Sequence, residues 1–289
     1  MKQLIVEILK IVAPLSVALI VFAQGLGIAP STVLSYFRKQ PWLLLRSLFA
    51  ALVLVPAVAL AFILLLKPAH GVAIGLAILV ACPPAPLMIK AAPKVGGASA
   101  AFMASLHLSL AVLALVSVPL ILSLPSIPLG EIKADVDLGA MTWILARTIL
   151  LPIGLGLVCR AFFPTFAEKA APVLAMAGSL GLLIVVLFAV AAFYPALLNM
   201  DAWSYLVIVA VCATALGIGH RLGPDQPSER VTLAVECGVR HPALAVTIVS
   251  ANYGQELALP VLVPCVITFI AVAMLYMIWQ RKTRKTGLK

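Results

Sequence analysis

Apolar stretches of about 18 residues or more recur along the whole chain, separated by short polar punctuation, and each is long enough to carry a helix through a bilayer. Of 289 residues 64% are hydrophobic and only 10% charged, too little polar surface to clothe a soluble protein of this size. The alternation over about ten residues that marks an outer-membrane barrel strand is absent. The expectation is an all-α polytopic membrane protein, one transmembrane unit over 1–289. Nine crossings, I to IX, are read at 8–27, 42–66, 70–92, 98–123, 139–160, 172–194, 203–220, 229–252 and 257–280. Crossing VII is the shortest and ends in Gly219, His220 and Arg221. No basic start followed by a small-residue cleavage site precedes crossing I, which is therefore expected to stay in the mature chain.

Lys and Arg near helix ends are retained on the cytoplasmic side. Placing the basic tail (Arg281, Lys282, Arg284, Lys285, Lys289) inside also puts Arg38, Lys39, Lys94, Arg160, Lys169, Arg221 and Arg230 inside. Only Lys2, Lys10, Lys67 and Lys133 fall outside, the last beside Glu131, Asp135 and Asp137. This predicts an N-terminus outside and a C-terminus in the cytoplasm, in a bacterial-type inner (plasma) membrane. Topology and anionic lipid explain the net charge of +10 better than nucleic acid does. Cys82, Cys159, Cys212, Cys237 and Cys265 fall in or at the ends of spans with no paired spacing, which argues against a disulfide framework or zinc site.

Two crossings are broken. Crossing III contains Pro83, Pro84 and Pro86, so an unbroken helix cannot pass, and freed backbone groups at this depth need protein, water or ligand as partners. Crossing VIII holds Glu236 and Arg240 with Gly238 and Pro242 between and beyond them. A charged side chain at membrane depth costs about 2.5–3.5 kcal/mol or more, so two so close imply a partner, a wet cavity or a substrate. Each broken crossing is followed by one more span, the first before the acidic loop and the second before the tail. They are five crossings apart, so they run in opposite directions. This is the pattern of inverted repeats, here 1–125 and 138–280, with the first helix of the first repeat missing. It places Pro83 to Lys90 against Glu236 to Pro242 near the midplane.

These residues resemble the bile acid:sodium symporter family, within the superfamily that also holds arsenite efflux permeases. The segment Leu79 to Pro86 is similar to the family's Gly-Cys-Cys-Pro-Gly-Gly break, and Glu236 to Ala245 to its Glu-x-Gly-x-Gln-Asn-x-x-Leu-Ala motif. Leu54 to Ala57 and Leu150 to Gly156 also sit where similar strings lie. The resemblance implies a core domain from 42–123 and 203–280, a panel from 8–27 and 139–194, and substrate entering the crevice between them by alternating access.

The same comparison exposes departures. Where sodium-coupled members place Ser and Asn past the first break, this chain has Met88 and Ile89, and the facing positions on crossing IV read Phe102 and Leu106. Arg240 stands for one Gln of the second sodium site and Ala51 for another, while Glu236 remains. Sodium needs several oxygen ligands, and neither site survives by residue type; Glu236 is the one metal ligand retained. No cofactor is expected. Lys90 and Arg240 bring a tethered ammonium and guanidinium to that space. The spacing of Glu236 and Arg240 predicts an internal ion pair between them, with Lys90 as a second partner, if the helix is locally continuous; an ion pair that only braces the fold is the alternative.

His107 and His241 add groups that titrate near neutral pH, so proton coupling, exchange or uncoupled transport replaces sodium symport as the expectation. A net positive centre and the positive ends of half-helices favour a small organic anion, most simply a carboxylate. The candidate site is therefore Cys82, Pro83, Pro84, Met88, Ile89, Lys90, His107, Glu236, Gly238, Arg240, His241 and Pro242. Arg147 is a secondary candidate, whereas Arg46 can snorkel to the interface. Sodium-coupled anion symport and arsenite efflux through Cys82 are the alternatives. A membrane hydrolase lacks a nucleophile with a fitted base, and a sensor lacks an output segment.

Overall fold

The computed structural model describes residues 2–28, 38, 40–123, 138–253 and 255–286. The acidic segment around Glu131, Asp135 and Asp137 lies outside them. Among the described residues the chain is helical almost throughout. Helix α1 spans Lys2–Gly27. Helix α2 runs as Pro41–Phe49, a π-helical turn Ala50–Leu54 and Val55–Leu66. Crossing III is two helices, α3 (His70–Ala81) and α4 (Met88–Val95), and α5 is Ala100–Leu122. Helix α6 repeats the design of α2, as Leu138–Leu145, a π-helical turn Ala146–Leu150 and Leu151–Phe162. Then come α7 (Pro164–Asn199), kinked at Phe193, and α8 (Ala202–Leu222). Crossing VIII is again two helices, α9 (Pro227–Gly238) and α10 (Pro242–Tyr253), and α11 is Gln255–Thr286. Among the described residues six helices are long and apolar enough to cross a membrane, the short crossing VII among them.

Helix α3 is apolar all round, and every residue from Val72 to Ala81 is buried. It packs against α2, α5, α10 and α11, and shares one apolar cluster with Ala111, Ala114 and Val118 of α5, Leu244 and Ile248 of α10 and Phe269 of α11. Helix α7 is the opposite case: Val173, Met176, Leu180, Leu183 and Leu187 form an exposed apolar face, as a helix bordered by lipid requires. The sequence predicts crossing VI over 172–194; α7 starts earlier, with Pro164 in its first turn, where a missing N–H costs nothing.

Helix α1 lies along both α6 and α7. Lipid tails are as apolar as leucine, so helices in a bilayer adhere by close packing, and small residues allow it. Gly25 and Gly156 meet backbone to backbone: a Cβ on Gly156 would strike the Phe22 carbonyl and Gly25 Cα. Gly178 of α7 rests on the main chain of Ser16 and Ile20 of α1 in the same way, and Gly181 on the Ser16 side chain. Gly154, two residues from Gly156, faces open space. Gly156→Val should therefore destabilise the protein by about 1–3 kcal/mol, the usual cost of overpacking, whereas Gly154→Val should fall well short of that in thermal unfolding.

The start of α8 is tied to the end of α2 by Trp203 Nε1 donating to the Leu66 carbonyl (2.7 Å) and Ala69 N–H donating to Ser204 Oγ (3.0 Å). Asp201 caps α8, accepting the Ser204 N–H at 2.8 Å. Hydrogen bonds from Ser204, side chain first and main chain second, hold the Asp201 carboxyl below the usual carboxylate range. A carboxyl depressed in the folded state stabilises fully above its unfolded value, about 3.9, and loses that effect as pH falls through its folded value. Asp201→Ala should melt below the unsubstituted protein at neutral pH, with the gap closing in strong acid.

Candidate transport site at a crossing of two broken helices

Proline chemistry ends α3. The residue before a proline is driven out of the helical region, and Cys82, before Pro83, is extended at φ −64°, ψ 149°. Helix α9 ends at Gly238 because the following Val239 is also extended, at φ −113°, ψ 116°. Two short extended segments then run antiparallel as a single β-bridge between Pro84 and Arg240. His241 N–H donates to the Pro83 carbonyl (2.9 Å) and Ala85 N–H to the Val239 carbonyl (3.3 Å). The crossing expected from the repeat pattern is thus made by main chain, each break serving as hydrogen-bond partner of the other.

Past the crossing the chain becomes helical again. Pro242 opens α10, and His241 caps it: the His241 carbonyl accepts from Ala245 N–H at 3.1 Å and its Nδ1 accepts from Leu244 N–H at 3.1 Å. An Nδ1 that accepts leaves the proton of the neutral ring on Nε2. That Nε2 is buried with no hydrogen-bond partner. Gly238 owes its place to contact, since a Cβ there would collide with the Leu216 side chain of α8. Its carbonyl takes a weak bond from Cys212 Sγ at 3.7 Å, a contact with no signal in the sequence.

Arg240 is almost fully enclosed and reaches across the crossing. One terminal nitrogen donates to the Cys82 carbonyl and the other to the Ala51 carbonyl, both at 3.2 Å. Both acceptors are made available by proline. Cys82 stands at the end of α3, where carbonyls lack helical donors and the helix dipole is negative. Ala51 lies in the π-helical turn, where Val55 N–H bonds to the Ala50 carbonyl five residues back. The next donor in that register would be Pro56, which has no N–H, so the Ala51 carbonyl is left for the guanidinium.

The internal pair expected from the four-residue spacing is not what forms. Because α9 stops at Gly238, Glu236 and Arg240 do not share a helix face. Glu236 Oε1 instead meets His107 Nδ1 of α5 at 3.2 Å, both side chains buried. Its second oxygen, Oε2, has no partner although the residue is 0% exposed. Phe102 and Leu106 pack in an apolar cluster with Ala51 and Cys237. Met88 and Ile89 pack against a second cluster with Ala85 and Val239, so they line the break with carbon. Lys90 belongs to α4, but its side chain lies outside the described residues and its pairing with Glu236 with it. Cys82 is a free, buried thiol. Arg147 is exposed, in the π-helical turn of α6.

The Sodium Bile acid symporter family matches this chain over residues 14–197. The chain belongs to that family. Its match carries the first break and ends before the second. A relative from Bacillus subtilis (strain 168), described as the uncharacterized sodium-dependent transporter YocS, is 25% identical over 275 residues, covering 92% of this chain and 82% of its own. That similarity extends the family likeness through the second break. Membership, together with the apolar helices, makes the protein an integral membrane secondary transporter. At the second break of this chain stands a guanidinium, that of Arg240.

A hydrogen bond from a charged group contributes about 1.5–3 kcal/mol, and Arg240 makes two of them. Arg240→Met should therefore lower the unfolding free energy by about 3 kcal/mol or more, measured by chemical or thermal unfolding. Arg240→Lys should recover only part of it, because one ammonium is not a planar fork.

Proposed function

We propose that this chain carries a small organic anion, most simply a carboxylate, by alternating access and without sodium. The observation that carries the reading is Arg240, whose guanidinium holds the Cys82 and Ala51 carbonyls. Backbone carbonyls at such a break are the ligands a sodium ion would need, and here a built-in cation takes them. Its charge, with the amino-terminal ends of α4 and α10 at the same crossing, supplies the positive potential an anion seeks. The reading includes nine crossings in an inverted four-plus-five arrangement, with α1, α6 and α7 as the panel. It also includes the outside-to-cytoplasm orientation argued from Lys and Arg.

A proton replaces sodium as the coupling ion in this proposal. What supports it is the buried contact of Glu236 with His107, two groups able to exchange a proton, together with the unpartnered Oε2. Sodium coupling is the second reading, favoured by the name of the Bacillus subtilis relative and by the same unpartnered Glu236 oxygen.

Purified protein in liposomes, offered radiolabelled pyruvate, benzoate and cholate, separates the two. The expected result is uptake of at least one anion that responds to an inward proton gradient and ignores a sodium gradient. Glu236→Gln and His107→Gln should each remove the pH stimulation. Anion exchange that ignores both gradients would retain the Arg240 reading and reject proton coupling. Accumulation that requires sodium and disappears in Glu236→Ala would overturn the proposal.

A further inference from the structure

A groove of about 440 Å³ lies between α8 and α11, and no residue of the helix crossing lines it. Its lining changes character along its length. At one end are Ala213 and Val272, followed by Leu216, Gly217 and Leu275; at the other are His220, Arg221, Tyr276 and Trp279. Leu275 is 68% and Trp279 55% exposed, so the groove is open sideways, toward whatever surrounds the helices. In a membrane protein that surrounding is lipid.

The polar end is built rather than incidental. His220 Nδ1 and the Tyr276 hydroxyl are hydrogen-bonded at 2.8 Å, and Tyr276 and Trp279 stand with ring centroids 6.1 Å apart. Tyrosine and tryptophan gather at the depth of lipid headgroups. Arg221 lies in the lining itself, and Arg230 is close enough to act on both His220 and Tyr276. Arg284, anchored by its bond to the Gly97 carbonyl at 2.7 Å, acts on Tyr276 as well. Among the described residues no acidic side chain lines the groove.

We propose that this groove holds an anionic phospholipid, its phosphate against Arg221 and the His220–Tyr276 pair and one acyl chain along Gly217, Leu216 and Leu275. A free phosphate would use only the basic end and gain nothing from the apolar length. The site would face the cytoplasmic leaflet, which rests on the orientation proposed above; binding itself does not. The occupant would clamp α8, which packs against α9 beside the crossing, to α11.

Gly217 supplies a clean probe, because a Cβ there meets nothing within 4 Å and a leucine would fill the groove without disturbing backbone. The test uses the full chain in neutral detergent, with dioleoylphosphatidylglycerol, dioleoylphosphatidylcholine or inorganic phosphate added at equal concentration. Only phosphatidylglycerol should raise the Tm. Gly217→Leu should lose that rise while keeping its lipid-free Tm. Arg221→Gln should weaken the lipid about fivefold, since one basic side chain near an anionic headgroup contributes about 1 kcal/mol. As a readout independent of stability, phosphatidylglycerol with brominated acyl chains should quench tryptophan emission more in the unsubstituted chain than in Trp279→Phe. An equal effect of phosphatidylcholine or phosphate, an undiminished rise in Gly217→Leu, or quenching indifferent to Trp279 would each overturn the proposal.

Discussion

Two main-chain hydrogen bonds, between Pro83 and His241 and between Ala85 and Val239, hold the centre of this protein together. A bilayer interior has no water to satisfy an open peptide group, so a helix can stop there only if something else completes it. Here the two stops complete each other. Neither break is tolerable without its counterpart 150 or so residues away, and so the packing of α3, α8, α10 and α11 around the crossing is a requirement of backbone chemistry before it is a matter of side-chain fit. The enclosure of α3 on every side follows, because the helix must lie deep enough for its end to reach the other break.

The side chains divide the remaining work at the crossing. Arg240 satisfies carbonyls that prolines have stripped of donors, one at the end of α3 and one in the π-helical turn of α2. Glu236, one turn back on α9, looks instead toward α5 and His107. Cation and carboxylate therefore serve different neighbours: the first ties α2 and α3 to the second break, the second ties α5 to it. The loop before α5 adds another link, with Ser99 N–H donating to the Ser228 carbonyl and to Thr232 Oγ1 of α9.

Much of this was legible in the residues. Apolar runs located the helices, and Pro83, Pro84, Pro86, Gly238 and Pro242 located the breaks, because proline and a pre-proline residue act locally whatever the tertiary context. That the breaks face each other followed from counting spans. The pairing of Glu236 was not legible: a spacing of four implies a shared face only within one helix, and α9 ends between the two residues. His107 lies 129 positions away and was visible only as an isolated histidine. Ala51 was read as the loss of a side-chain ligand, whereas its carbonyl is the group in use; the signal was Pro56, whose missing N–H matters only once the π-helical register is known. The seam of Gly25 and Gly156 escaped notice for a related reason, since composition does not say which glycines meet.

An ion bound from solution can leave, and what it lends to a transport cycle is the free energy of moving from one side to the other. Arg240 is covalently part of the chain and makes no such journey. Whatever its guanidinium contributes at the crossing is returned when the cycle closes, so it can set how tightly each state is held and how quickly the states exchange, but never how far a solute is driven uphill. A carrier built around a captive cation must draw its driving force from something else that comes and goes.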